Sequence, residues 1–61
     1  MSITYSGDGN AFAIMAYCQR LIEADGRDKG QYFREATAGS YNDLLDVSTE
    51  WTGVNFEAYY E

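Results

Sequence analysis

Ser40-Tyr41-Asn42-Asp43-Leu44-Leu45-Asp46-Val47-Ser48-Thr49-Glu50-Trp51 is the stretch on which the fold turns. Ser40 with Asp43 three positions on has the form of a capping box. The hydroxyl accepts a bond from a backbone N–H of the first turn, and the side chain three residues on reaches back to the N–H of the cap. Tyr41, Leu44, Leu45, Ser48 and Trp51 then recur at helical spacing and predict one inward face. Asp43, Asp46 and Glu50, at i, i+3 and i+7, fall on another flank of the same helix. Gly53 is placed to stop it.

Working toward the C-terminus, Val54, Phe56, Ala58 and Tyr60 alternate with Asn55, Glu57 and Tyr59. A period of two predicts a strand over 54–60. Successive strand residues face opposite ways, so Tyr59 and Tyr60 are not both inside, and one of them is open to contact.

Working toward the N-terminus, Asp28 predicts the start of a second helix, with Gln31 placed to complete a capping box. Tyr32, Phe33 and Ala36 make its inner face, and Gly39 is expected to end it. Before it, a first helix is expected over 10–24, capped by Asp8 or Asn10 and terminated by Gly26. Its first half, Ala11-Phe12-Ala13-Ile14-Met15-Ala16-Tyr17-Cys18, is apolar on nearly every side. Such a helix is expected to be buried all round, as the central element of the fold or within an oligomer interface. Residues 2–6, with Ile3 and Tyr5 between polar neighbours, suit a short strand.

The expected fold class is therefore α+β and mainly α. It has three short helices, with the N- and C-terminal segments paired as a two-stranded ribbon that packs on them. The competing picture is a three-helix domain with loose ends. Residues 1–61 are read as a single small acidic domain. A chain of 61 residues buries only about 60% of its unfolded surface, and small scaffolds usually add disulfides or a structural metal. Here one Cys and no His exclude both an intrachain disulfide and a four-ligand zinc site. Six Tyr, three Phe and one Trp leave a dense aromatic core, or an oligomer, as the source of stability.

The same inventory narrows function. Without His, no His-dependent triad or dyad forms within one chain. Cys18 sits in the most apolar segment, where a thiol behaves as a small inert hydrophobe. Asp8 and Asp25 each open a stretch like a calcium loop, but neither stretch has both the glycine at the sixth position and the glutamate at the twelfth. The expectation is no enzyme, no cofactor and no metal.

Charge supplies the positive signal. From Glu35 onward the 27 residues contain no Lys or Arg, and Glu35, Asp43, Asp46, Glu50, Glu57 and Glu61 give that half the whole net charge of −6. The first 34 residues balance to zero. Phosphate contact needs Lys and Arg, so direct binding to nucleic acid or anionic membrane is not expected. A basic protein surface is, including one that normally holds nucleic acid. The candidate partner-binding residues are Asp43, Asp46, Glu50, Glu57, Trp51 and Tyr59. The bland alternative is a solvated helix face that keeps a small protein soluble. Against it, these charges lack i,i+4 partners, and Glu50 lies near a helix C-terminus, where an anion is unfavourable. The rival functional reading is self-association, with the first helix as a homo-oligomer interface. A lone Cys and an apolar run of eight residues, without the basic flank of a signal peptide, lead to a cytoplasmic expectation.

Two segments, Gly9-Asn10-Ala11-Phe12-Ala13-Ile14 and Glu35-Ala36-Thr37-Ala38-Gly39-Ser40-Tyr41-Asn42-Asp43-Leu44-Leu45, resemble a family of small uncharacterised proteins from phages, prophages and bacteria. Ser40 stands where that family usually has an acidic cap. The resemblance covers about two-thirds of the chain. It implies no chemistry, but it implies a mobile-element accessory protein of the kind that binds and inhibits a host or defence protein.

Overall fold

The computed structural model describes residues 3–61, so the Ser2 end of the expected first strand lies outside the described residues. In chain order the elements are β1 (Ile3–Thr4), α1 (Ala11–Ala24), α2 (Lys29–Ala36), α3 (Tyr41–Thr52), β2 (Val54–Asn55) and a single 3₁₀ turn, Glu57–Tyr59. The three helices pack against one another, and β1 and β2 form a two-stranded sheet. The α+β, mainly α expectation is met, and the two ends of the chain pair. They run parallel, with Ile3 opposite Val54 and Thr4 opposite Asn55. A parallel pair requires a long crossover, and the three helices supply it.

Local chemistry explains each boundary. Asp8 and Asn10 share the work at the start of α1. The Asp8 carboxylate accepts from the Asn10 N–H at 2.9 Å, ordering the turn, and the Asn10 side chain accepts from the Phe12 N–H at 2.8 Å, capping the helix. At the far end Gly26 takes φ 76°. There the N–H groups of Gly26 and Arg27 donate to the carbonyls of Glu23 and Ile22, both at 3.0 Å. That pair of bonds is a Schellman closure, and its left-handed residue favours glycine.

For α2, Asp28 caps the backbone N–H groups of Gly30 and Gln31. The expected box is only half made, because the Gln31 amide donates to Glu35 instead of reaching back. The helix also ends at Ala36 rather than at Gly39. Thr37 closes it, with both its N–H and its hydroxyl donating to the Phe33 carbonyl. Gly39 has a different use, because a Cβ there would lie 3.0 Å from both Cβ and Cγ of Asp43. The small residue leaves room for the next cap.

That cap is reciprocal. The Asp43 N–H donates to the Ser40 hydroxyl and the Ser40 N–H donates to the Asp43 carboxylate. Gly53, at φ 75°, ends α3 as expected.

The buried side chains form one cluster, with Ile14, Cys18, Ile22, Tyr32, Leu45, Ser48, Val54 and Phe56 nearly inaccessible. Two expectations about it are corrected. α1 is not buried all round. Ile14, Met15, Cys18 and Ile22 form a stripe, whereas Phe12 is 76% exposed and Leu21 is also exposed. Both other helices pack on that stripe, and Phe12, about 200° around the helix from Ile14, points away from it. Likewise Tyr32 and Ala36 are buried on α2, but Phe33, one position and about 100° on, is 44% exposed.

The C-terminal strand is shorter than the alternation predicts. After Asn55 the Asn55 side chain accepts from the Glu57 N–H at 2.7 Å. This turns the chain into the 3₁₀ turn, so β2 holds only two residues. A ribbon of that length is weak in water, and side chains do most of the fastening. The Tyr59 hydroxyl donates to the Gly7 carbonyl and accepts from the Gly7 N–H. The Tyr41 hydroxyl donates to the Gly9 carbonyl. Asn42 exchanges two bonds with the backbone of Glu61.

Candidate docking face

At 100° per residue, Asp43, Asp46 and Glu50 fall within about 60° of arc on the outer side of α3. All three are exposed. They have different attachments. The Asp43 carboxylate serves the helix cap. Asp46 accepts a hydrogen bond from the Tyr60 hydroxyl. Glu50 makes no side-chain hydrogen bond or ion pair among the described residues.

The Tyr60–Asp46 bond and the Asn42–Glu61 pair hold the last residues against the Asn42–Asp46 flank of α3. This brings Glu57 and Glu61 toward the acidic side of the helix. The electrostatic consequence is visible at Tyr60. Donation to Asp46 pushes its pKa up to about 12, helped by partial desolvation and by the negative charges of Asp46 and Glu57. A phenol surrounded by anions holds its proton.

Two of the four cations are engaged elsewhere. Lys29 pairs with Glu23 at 2.7 Å and Arg27 with Asp25 at 3.9 Å. Both pairs, which are the ion pairs among the described residues, lie at the α1–α2 corner. Arg27 also stacks over the Trp51 ring, 4.8 Å from its centre, and donates to the Trp51 carbonyl at 2.9 Å. It thereby satisfies one of the last carbonyls of α3. On the same flank the Trp51 indole N–H donates to Glu35 at 3.1 Å, and its ring meets Tyr32 edge-on. That donation, with a second from Gln31, holds the Glu35 carboxyl below its ordinary range.

Of the six candidate residues, Asp43, Asp46, Glu50 and Glu57 are therefore exposed on one side of the molecule. Trp51 is half-buried against α2, on the opposite flank of α3 from the Tyr60–Asp46 contact. Tyr59 is half-buried, with its hydroxyl on Gly7 and its ring beside Tyr5. The residue that joins the acidic side is Tyr60, 39% exposed. The expectation that at least one of Tyr59 and Tyr60 is open to contact is met at Tyr60, although not through strand alternation. The 3₁₀ turn after Asn55 breaks the period of two that set the phase.

Between the end of α3 and the returning C-terminal segment lies a groove of about 660 Å³, lined by Thr49, Gly53, Asn55, Glu57 and Tyr60. It borders the acidic face. The other reactive groups are sealed in the core. Cys18 is fully buried and burial pushes its thiol pKa up. Burial raises the Tyr32 phenol as well, against the lowering effect of its bond to Ser48. Among the described residues no group of three or more acidic, Cys or His side chains is placed to hold a metal ion. No helix among them is long and apolar enough to cross a membrane.

Comparison with protein-family models, with curated proteins and with solved structures gives no match to this chain.

Proposed function

We propose that this protein is a small acidic protein-binding modulator. Its α3 face and C-terminal segment engage a basic surface on a partner that normally handles nucleic acid. The observation that carries this reading is the segregation of charge. Asp43, Asp46, Glu50 and Glu57 stand exposed together, while Lys29 pairs with Glu23 and Arg27 lies against Trp51 and Asp25 at the α1–α2 corner. One-signed patches steer encounter with oppositely charged surfaces and reject like-charged ones. The likeness of the 9–14 and 35–45 segments to phage, prophage and bacterial proteins supports a host or defence protein as the target, with the acidic face acting as a nucleic-acid mimic. The fully buried thiol and the absence of His support a binding role rather than an enzymatic one, in a cytoplasmic setting and without cofactor.

The test is charge reversal at Glu50 and Glu57, which make no side-chain bonds that the fold depends on. The Glu50→Lys/Glu57→Lys variant should keep the wild-type circular dichroism and thermal midpoint. Used as bait in bacterial extract, it should lose the basic, nucleic-acid-binding proteins that the wild-type chain retains. Wild-type capture should weaken as salt rises through the range where the screening length reaches about 8 Å. Capture that is indifferent to both changes would exclude this function.

A second reading, a self-associating structural or regulatory module, draws on Phe12. A phenyl ring 76% exposed on α1 is a natural contact for another copy. Light scattering at two ionic strengths separates the readings, since an apolar dimer survives high salt and disappears in Phe12→Ser.

A further inference from the structure

The groove beside the acidic face has a shape and chemistry of its own. Thr49 and Gly53 come from the end of α3, and Asn55, Glu57 and Tyr60 from the segment that returns along it. At about 660 Å³ this is an open groove, roomy enough to receive one long side chain from a partner. Gly53 leaves the space beside it open, with nothing within 4 Å of where a Cβ would project. Tyr60 is tethered through its hydroxyl to Asp46, which fixes the placement of its ring.

Three sources of negative potential converge on this groove. The Glu57 carboxylate lines it. Asp46 lies behind Tyr60. The end of α3 adds the partial negative charge of a helix C-terminus, about half a unit, and its last turn carries no basic residue. Arg27 answers only the Trp51 carbonyl, on the other flank.

We infer that this groove seats an arginine side chain of the basic partner, with the guanidinium against the Tyr60 ring and its N–H fork on Glu57. A planar guanidinium stacks on an aromatic face and bonds a carboxylate with two parallel donors, whereas a lysine ammonium offers only a point charge. Arginine is also among the residues that dominate interface energies. This assignment rests on the acidic-face reading above and adds the residue that the face selects.

Three capped peptides test it: acetyl-Gly-Arg-Gly-amide, its lysine counterpart, and its citrulline counterpart, which keeps the shape of arginine without the charge. Each is titrated into the ¹⁵N-labelled full chain. The arginine peptide should move the amide signals of Gly53, Asn55 and Glu57, binding about tenfold more tightly than the citrulline peptide and more tightly than the lysine one. Glu57→Gln should weaken it about tenfold. Glu23→Gln, at the opposite corner and paired with Lys29, should leave it unchanged. Both variants are checked for fold by circular dichroism. The assignment is overturned if the arginine peptide leaves the groove signals in place or fails to exceed both counterparts. If it fails while the Glu50→Lys/Glu57→Lys chain still loses its captured proteins, the groove assignment falls alone. If capture is also unaffected, the acidic-face reading falls with it.

Discussion

The Tyr32 and Ser48 hydroxyls meet at 2.7 Å in the interior, with both side chains wholly inaccessible to solvent. This bond joins α2 to α3 across the core. It explains how a serine occupies a face otherwise made of Leu44 and Leu45. If either group were removed, the other would keep only the weak thiol of Cys18 as a side-chain partner.

Removing one partner should therefore be worse than removing both. Ser48→Ala and Tyr32→Phe should each destabilise by about 1–3 kcal/mol. The double variant should fall short of their sum, because it leaves neither hydroxyl behind. Urea denaturation of the four chains closes the cycle. Additive losses would mean that the two hydroxyls do not depend on each other.

The asymmetry of α1 gives a paired prediction. Ile14→Ala empties a site with no solvent access and should cost about 2–5 kcal/mol, lowering the thermal midpoint steeply. Phe12→Ala, two residues earlier on the exposed side, should change stability by no more than about 0.5 kcal/mol. Equal effects would show that α1 is covered on both sides in solution, as a self-associating chain requires.

At the start of α3, Ser40→Ala should cost about 0.5–2 kcal/mol through loss of the cap. Gly39→Ala should also destabilise, although Gly39 has no positive φ, because its methyl would displace the Asp43 carboxylate from the Ser40 N–H. Thermal melts of the two single variants and the double check this. Because Ser40→Ala removes the hydroxyl but keeps the residue-40 N–H that Asp43 accepts from, the Gly39 substitution should keep its effect in the double variant.

Glu35 and Trp51 supply a pH signature. The indole N–H bond to Glu35 lowers the Glu35 pKa from its ordinary 4.5. A depressed carboxylate contributes its stabilisation in full above the unfolded value and loses it as pH falls through the folded value. As the chain holds a single Trp, its fluorescence follows this contact, and comparison with Glu35→Gln separates it from the other carboxylates. The expected midpoint lies below 4.5 in a titration from about pH 6 to about pH 2, and it should vanish in Glu35→Gln. A midpoint at the ordinary carboxylate value would mean that the bond is absent in solution.

Local order was legible wherever it depends on neighbours in the chain. The Ser40–Asp43 box, the Asn10 cap, the left-handed stops at Gly26 and Gly53, and the Leu44, Leu45 and Ser48 face of α3 all follow from groups within about one helical turn of each other. The exposure of Asp43, Asp46 and Glu50 follows from the same periodicity, since their flank lies opposite that face. The one-signed charge of residues 35–61 needs no structure at all.

Tertiary packing decided the rest. With three short helices and a ribbon of two-residue strands, only one side of α1 has neighbours, so Phe12 stays in solvent despite the apolar sequence around it. Asn55 bonding forward to Glu57 ended the strand and set which tyrosine faces out, a competition between side chain and ladder that alternation alone does not reveal. Tyr60 on Asp46, Tyr59 on Gly7 and Trp51 between Arg27 and Glu35 are contacts between residues 14 to 52 positions apart. They exist only once the helices are packed, and they draw Trp51 and Tyr59 away from the acidic face while fastening Tyr60 to it.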